Sequence, residues 1–367
     1  MSTAVPNLGA VVPPHVADLP LIRTLLGRMM IKAHEYHITG NWDYLRYGPC
    51  PYRADNIPLA LDKAVQSLQD ILREGTNYQW LVDNLADNMS REWVLDLICY
   101  RIWGAIHVKL PLNTPQFWQE YETIDSRFMV AKNVAKSSIF DLNHYRLPVQ
   151  DQTLEFLGHP LSVLMLRLGQ YYYDREGVRI APQPGDVIID GGGCWGEAAL
   201  DFAVHVGDAG HIYSFEFVPN NVAMFRKNLS MSRQAANNVT IVERAISNIS
   251  GQKMPFRDIG PATVVGLSDE AGLTVETISI DDFVAQNNLT KVDFIKLDIE
   301  GSEHVALAGA VNTIRRFRPR MAICLYHRPH DLFALPQLVR QIESRYELHI
   351  DHYTLYDQET VLYARVP

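Results

Sequence analysis

Apolar positions in the first third of the chain recur every three or four residues, and no convincing strand-like run interrupts them from about Asp18 to Lys136. The clearest positions are Leu19, Ile22, Leu26, Met29, Met30, Leu61, Val65, Leu68 and Leu72. Apolar side chains at this spacing share one face of an α-helix. The spacing therefore predicts an N-terminal helical domain over residues 1–150.

From about Thr153 the pattern changes to short apolar runs that alternate with helical segments. The predicted strands are Val187–Asp190, His211–Glu216, Val239–Glu243, Val292–Asp298, Met321–Leu325, Tyr346–Ile350 and Thr360–Ala364. Alternation of this kind indicates a mostly parallel sheet with helices on both faces. The pattern thus predicts a doubly wound α/β domain over residues 151–367, and the short turn before the last strand indicates an antiparallel hairpin at the sheet edge.

Composition and charge narrow the class of protein. The chain has 367 residues, of which 47% are hydrophobic and 20% are charged, as in ordinary globular proteins. Its formal net charge of -9 disfavours a nucleic-acid groove, because phosphate contacts need clustered Lys and Arg. No run approaches the about 18 apolar residues of a membrane span. The four cysteines show no C-x-x-C spacing, so we expect a reducing, cytoplasmic setting.

The stretch VIIDGGGCWGEAAL joins the first predicted strand to a helix through a glycine loop. Gly191, Gly193 and Gly196 fit the G-x-G-x-x-G spacing of dinucleotide-binding loops, which place a diphosphate at a helix N-terminus. However, Asp190 and Glu197 flank this loop, and carboxylates there would repel a diphosphate. A positively charged ligand is favoured instead, and S-adenosylmethionine carries a sulfonium and an ammonium group.

The same loop fits the D-x-G-x-x-x-G pattern of class I methyltransferases through Asp190, Gly192 and Gly196. Glu216 ends the next predicted strand, twenty residues after Gly196, where a carboxylate can accept both ribose hydroxyls. That position suits NAD equally well. An NAD-linked oxidoreductase on a Rossmann-like sheet therefore stays open as an alternative, as does a non-catalytic binding protein that retains the fold.

Several segments together resemble one family, the FkbM S-adenosylmethionine-dependent methyltransferases. They are DVIIDGGGCWGEAALDFA, IYSFEFVPNNVAMFRKNL, VETISIDDF, VDFIKLDIEGSEHVALAGA, RPRMAICLYHRPHDL and ETVLYA. The resemblance implies a class I methyltransferase fold from about Thr153 onward and methylation of a hydroxyl on a sugar or natural product. It also implies that Asp190, Gly192 and Gly196 form the donor loop, that Glu216 binds the ribose, and that Ala245 lines the adenine.

Acidic residues mark the reacting end of the predicted site. Asp298 and Glu300 follow the fourth strand, and Glu303 lies either in this cluster or on the surface as a dipole-matched carboxylate. Carboxylates so close together are difficult to keep ionised without a cation, so Asp298 and Glu300 are also candidate ligands of Mg²⁺.

The fifth predicted strand ends just before His327. A histidine with its ordinary pKa of about 6.5 suits proton removal from an acceptor hydroxyl. His327 and Asp298 are therefore the candidate catalytic residues. We expect a small-molecule or saccharide acceptor, and an N-terminal domain that either shapes the acceptor pocket or mediates homodimer formation.

Overall fold

The computed structural model describes residues 20–34, 57–105, 108–232, 237–266 and 272–367. Contacts between Cα atoms divide the chain into two compact units. The first contains the described residues up to Asn113 together with Thr354–Asp357, and the second contains Thr114–Tyr353 and Gln358–Pro367. Within the described ranges, no helix is long and apolar enough to cross a membrane.

The first unit is helical in its described residues, and the apolar positions named from the sequence fall in or next to its first two helices. They are α1 (Pro20–His34), α2 (Ile57–Arg73), α3 (Gly75–Asn84) and α4 (Asn88–Trp103). Helix α4 is the centre of this unit, because most of its residues from Trp93 to Ile102 are buried. It begins where the Asp87 side chain accepts a hydrogen bond from the Ser90 N–H, and it ends at Gly104 with φ of 68°. The roles predicted for an N-terminal domain stay predictions.

The second unit begins with α5 (Pro115–Phe128) and three antiparallel strands, β1 (Met129–Lys136), β2 (Asp141–Val149) and β3 (Gln152–Gly158). The prediction of helix as far as Lys136, within a helical domain extending to residue 150, is wrong for β1 and β2, whereas β3 lies beyond the predicted helical domain. Val130 and Val134 are four residues apart, which imitates a helical repeat, but both are exposed on a strand. Asn133 has φ of 52°, and the pairing register shifts between Ala131 and Ala135, so the alternation of a regular strand is hidden.

A second group of elements leads into the main sheet. Helix α6 (Pro160–Leu168) is followed by the short hairpin of β4 (Tyr173–Arg175) and β5 (Val178–Ile180). The later strands are β6 (Val187–Gly191), β7 (His211–Phe215), β8 (Val239–Val242), β9 (Ala245–Ile246), β10 (Lys253–Pro255), β11 (Thr274–Ile278), β12 (Phe294–Leu297), β13 (Arg320–Cys324), β14 (Glu347–His352) and β15 (Thr360–Arg365). The later helices are α7 (Glu197–Val206), α8 (Pro219–Met231), α9 (Ile280–Gln286), α10 (Glu303–Ala308), α11 (Val311–Phe317) and α12 (Asp331–Ile342).

All seven strands predicted for the C-terminal domain join one sheet, in the order β14-β15-β13-β12-β6-β7-β8. The five strands from β13 to β8 are parallel, and β15 is antiparallel to both β13 and β14. The parallel strands are apolar runs, and β12 is buried at every position, as expected for a sheet covered on both faces. The prediction of an α/β domain built on one mostly parallel sheet is thus confirmed.

The strand order places one crevice at the middle of the sheet. After β6 the chain continues to β7 and β8 on one side, and it later returns to β12 and β13 on the other. Ligands of such sheets bind outside the carboxyl ends of the strands where the order reverses. A functional site is therefore expected at the loops after β6, β7 and β12.

Candidate active site

The glycine loop between β6 and α7 has the backbone shape that requires glycine. Gly192 has φ of 85°, and a Cβ atom there would lie 1.8 Å from the carbonyl oxygen of Asp298. Gly196 has φ of 90°, and a Cβ atom there would lie 2.1 Å from the ring of Phe225. Both glycines thus permit close approach to other parts of the protein. Only Gly192 of the two also lines the cavity described below.

Asp190 is fully buried and is paired inside the protein. Its Oδ1 lies 3.0 Å from Nζ of Lys296, which is also fully buried, and its Oδ2 accepts a hydrogen bond from Ser214. Burial opposes a charged Lys296, but the carboxylates of Asp190 and Asp298 raise its pKa to about 12. Asp190 therefore does not offer free negative charge to a ligand, which corrects the electrostatic argument made from the sequence.

Lys296 also holds the glycine loop. Its Nζ donates to the carbonyl oxygens of Gly191 at 3.0 Å and Gly192 at 2.6 Å. Sequence reasoning missed this residue. The signal was a single lysine inside the apolar strand VDFIKLDIE, because a lysine buried in a sheet needs a charged partner.

Glu197, the second carboxylate of the sequence argument, is buried at the start of α7 and does not line the cavity. Burial raises its pKa to about 7, so it is only partly ionised near neutral pH. The repulsion of a diphosphate must therefore come from other groups.

A cavity of about 500 Å³, including open solvent at its mouth, lies at the carboxyl ends of the central strands. Its lining includes Gly192, Phe215, Glu216, Phe217, Val218, Asn221, Arg244, Ala245, Ile246, Gly260, Pro261, Thr263, Val265, Asp298, Ile299, Glu300 and Ser302. Three of these are carboxylates, whereas the cation among them, Arg244, forms an ion pair with Glu276. The cavity thus favours a positively charged ligand, as the sequence argument concluded, but chiefly through Asp298, whose pKa is lowered. Glu216 and Glu300 add only part of a charge near neutral pH, because burial raises the pKa of each to about 7.

Glu216 is held in place at the carboxyl end of β7. Its Oε1 accepts hydrogen bonds of 2.8 Å from the N–H groups of Phe217 and Val218, and its Oε2 accepts one of 3.3 Å from Asn221 Nδ2. Burial raises the pKa of Glu216 to about 7 even though these hydrogen bonds favour the carboxylate. Asn221 was not singled out from the sequence, since an asparagine in a helix gives no signal for this contact.

The apolar wall of the cavity lies next to Glu216. Ala245 is buried and packs with Val218, Phe256 and Val275, and partly buried Val265 and Phe217 pack against the same cluster. Of these residues, Phe217, Val218, Ala245 and Val265 line the cavity, and the sequence pointed to Ala245 alone. A flat, weakly polar group fits between such side chains.

Asp298 also lines the cavity, and its carboxylate is surrounded by hydrogen-bond donors. Tyr171 donates to Oδ2 at 2.7 Å and Tyr326 donates to Oδ1 at 3.1 Å, while Nε2 of His327 lies 3.3 Å from Oδ1. Burial alone would raise the pKa of Asp298, but hydrogen bonding with His327 and the charge of Lys296 lower it well below its usual range. Asp298 is therefore a fixed carboxylate at neutral pH.

His327 lies behind Asp298 and is not among the cavity-lining residues. Its Nδ1 is 2.9 Å from Oε1 of Glu303, which is 1% exposed and therefore not on the surface. Burial disfavours the charged ring, but contacts with Asp298 and Glu303 raise the pKa of His327 to about 11. The ordinary pKa expected from the sequence is thus wrong, and in this arrangement the imidazolium stabilises two carboxylates.

This raised pKa predicts how stability changes with pH. A group whose pKa is higher in the folded protein adds stability below its unfolded pKa of about 6.5 and loses it as pH rises towards 11. We expect the unfolding free energy of the protein to fall between pH 7 and pH 10 by more than that of His327→Gln. Urea unfolding followed by circular dichroism at both pH values measures this difference, and parallel curves for the two proteins would contradict it.

The structure does not support a metal site at Asp298 and Glu300. No group of three or more His, Cys, Asp or Glu among the described residues has the geometry to hold a metal ion. The physical reason is His327, whose Nε2 lies 3.3 Å from Asp298 and 3.8 Å from Glu300 and supplies positive charge between them. Among the described residues, Cys99, Cys194 and Cys324 form no disulfide bond with one another, and Cys50 lies outside the described residues.

Solved structures of methyltransferases are similar to this chain in fold. A crystal structure of methyltransferase FkbM from Methylobacillus flagellatus matches with a TM-score of 0.51 at 20% identity, covering 81% of this chain and 60% of that one. This chain therefore spans about 60% of that relative's length. The match supports a class I methyltransferase-like α/β fold.

Two more distant structures are also similar to part of the chain. Fibrillarin from Aeropyrum pernix, solved with natively bound S-adenosyl-L-methionine, has 15% identity and a TM-score of 0.33, covering 61% of this chain and 88% of its own. A SAM-dependent O-methyltransferase from Thermotoga maritima has 14% identity and a TM-score of 0.31, covering 51% of this chain and 61% of its own. A search of curated proteins gave no match.

A family model described as the methyltransferase FkbM domain matches residues 177–350. This range contains the glycine loop and all of the cavity-lining residues given above. Residues 177–350 are therefore similar to the methyltransferase FkbM domain, which confirms the resemblance of this segment to the FkbM family of S-adenosylmethionine-dependent methyltransferases.

Proposed function

We propose that the protein transfers a methyl group from S-adenosylmethionine to a hydroxyl group of a sugar or another small molecule. The single observation that carries the proposal is the pairing of an apolar wall around Ala245 with the carboxylates Glu216, Asp298 and Glu300 in one cavity. S-adenosylmethionine has a flat base that matches the apolar wall, a ribose diol that matches Glu216, and a positively charged sulfur that matches Asp298 and Glu300. A dinucleotide diphosphate would meet carboxylates without a free cation among the lining residues.

In this proposal Glu216 accepts hydrogen bonds from the ribose hydroxyls, and Ala245 contacts the adenine. Gly192 lies beside Asp298, because the carbonyl oxygen of Asp298 approaches it closely, and both residues line the cavity. In this proposal the methionine end of the donor lies there, at the β12 end of the cavity. Gly196 and Asp190 act indirectly, because Gly196 packs on Phe225 and Asp190 is paired with Lys296.

Methyl transfer needs an acceptor oxygen in line with the S–CH₃ bond, so positioning supplies much of the rate. The acceptor hydroxyl must also lose its proton. Glu300 lines the reacting end, and burial together with nearby Asp298 and Glu303 raises its pKa to about 7 despite the charge of His327. We assign proton acceptance to Glu300 and electrostatic stabilisation of the sulfonium to the Asp298 carboxylate. The His327 imidazolium holds that carboxylate in place from behind.

Incubation with labelled donor tests the function as a whole. The purified protein is mixed with methyl-labelled S-adenosylmethionine and with separate saccharide, lipid and small-metabolite fractions. Base-stable label in a saccharide or small-metabolite fraction supports the O-methyl transfer. A rise in melting temperature with NADH and none with S-adenosylhomocysteine would reject the proposal in favour of an oxidoreductase.

Glu216→Gln tests the ribose contact. Glutamine keeps the size and can still accept the hydrogen bonds from Phe217 and Val218, but it lacks the charge. Hydrogen bonds to charged groups contribute about 1.5–3 kcal/mol, so we expect affinity for S-adenosylhomocysteine at pH 8.5 to fall at least about tenfold. Isothermal titration calorimetry measures it.

The same titration carries its own controls. Because the pKa of Glu216 is about 7, the difference between the protein and the variant should shrink at pH 6, where the carboxyl group is mostly protonated. Glu347→Gln, which removes a carboxylate paired with Arg365 at the far edge of the sheet, should bind the ligand normally. Equal affinities of the protein and Glu216→Gln at pH 8.5 would place the ribose elsewhere.

A further inference from the structure

Tyr171 has an unusual backbone conformation next to the reacting end of the cavity. Its φ is 77°, in the left-handed region that aromatic residues rarely adopt, and such residues are often found where function requires them. Its N–H donates a 3.0 Å hydrogen bond to the hydroxyl of Tyr363, which is 2.6 Å from that of Tyr353. Tyr171 precedes the matched range 177–350, so the family comparison says nothing about it.

The Tyr171 side chain is directed at the charged groups under the glycine loop. Its ring centroid lies 5.2 Å from Nζ of Lys296, and its hydroxyl donates to Oδ2 of Asp298. Tyr326 donates to the other carboxylate oxygen. We call this arrangement the tyrosine clamp, meaning Tyr171 and Tyr326 with Asp298 between them.

The clamp fixes a carboxylate that still faces the cavity. The Asp298 side chain is 21% exposed although donors contact both of its oxygens, and it belongs to the cavity lining. A carboxylate that cannot rotate away exerts its charge at one place. Its attraction for a nearby cation is greater in a partly desolvated cavity than in water.

We propose that the tyrosine clamp lets this protein distinguish the charged methyl donor from its uncharged product, with Tyr171 as a positioning residue for Asp298. The inference rests on the proposed function. In the transfer, the bond from sulfur to the methyl carbon breaks, its electron pair stays on sulfur, and the acceptor oxygen gains the methyl group and gives up its proton. The sulfonium becomes a neutral thioether, so the attraction to Asp298 disappears and product release is favoured.

Calorimetric titration with S-adenosylmethionine and with S-adenosylhomocysteine tests this without an acceptor. The quantity measured is the affinity for S-adenosylmethionine divided by the affinity for S-adenosylhomocysteine. We expect Asp298→Asn to lower the ratio at least about tenfold, because the charge is lost, and Tyr171→Phe to lower it about threefold, because the carboxylate is less well held. The affinity for S-adenosylhomocysteine should stay within about twofold for Tyr171→Phe.

Tyr172→Phe is the matched control. Tyr172 is the next residue, and its hydroxyl donates to Asp201, which does not line the cavity. We expect this variant to leave the affinity ratio unchanged. A ratio unaffected by Tyr171→Phe, or an equal loss of both affinities, would overturn the inference, since the second result indicates a purely structural role. Failure of the unaltered protein to bind S-adenosylhomocysteine would instead reject the proposed function.

Discussion

Gly192→Ala is expected to destabilise the protein by about 4 kcal/mol and to abolish measurable donor binding. The added Cβ would lie 1.8 Å from the carbonyl oxygen of Asp298, which is backbone and cannot rotate away. The φ of 85° adds the cost of a left-handed alanine. The loop after β6 and the end of β12 would have to separate, and both line the cavity. Urea unfolding and calorimetry with S-adenosylhomocysteine measure the two effects.

Gly185→Ala separates the backbone cost from the steric one. Gly185 has φ of 83°, nearly that of Gly192, but nothing lies within 4 Å of its added Cβ. We expect this variant to lose only about 1–2 kcal/mol and to bind the ligand normally. If the two variants lost equal stability, the close approach of Asp298 to Gly192 would be wrong.

Lys296→Met is the second change with a large expected effect. It leaves the Asp190 carboxylate buried without its cation, and it removes the donor to the carbonyl oxygens of Gly191 and Gly192. Removing one partner of a buried ion pair costs about 3–5 kcal/mol. We expect a loss of this size in the unfolding free energy, together with weaker binding of S-adenosylhomocysteine.

The double variant Asp190→Asn with Lys296→Met shows which interaction matters. Without the aspartate charge the methionine no longer faces an unpaired carboxylate, so we expect about half of the lost stability to return. Donor binding should stay weak, because the carbonyl groups of the loop are still without the lysine. Additive losses in the double variant would show that the pair is not coupled.

The architecture of the sheet could be predicted because its central strands, such as β12, are buried on both faces and therefore appear as apolar runs. Each predicted strand from Val187 onward is found within a few residues of its expected position. Strand β1 could not be predicted in this way. It is mostly exposed, so no buried face imposes alternation on its sequence.

Site residues could be predicted from the sequence where a residue type has one usual role at its position in the fold. Glu216 at a strand end and Ala245 after the next strand both line the cavity. Partners brought together by the fold were not predictable. Asp190 is neutralised by Lys296, 106 positions later, and Asp298 is held by Tyr171, 127 positions earlier. A charge inferred from a motif is therefore reliable only when its partner in space is known.

Strand β15 comes last in the chain yet lies between β13 and β14. A shortened polypeptide that stopped at the limit of the matched family range, residue 350, would leave a gap inside its own sheet. Two hydrogen-bonding edges would then be bare, and such edges invite intermolecular strand pairing. A shortened form of the protein should therefore include all residues through Arg365. An affinity tag attached after that residue needs a spacer.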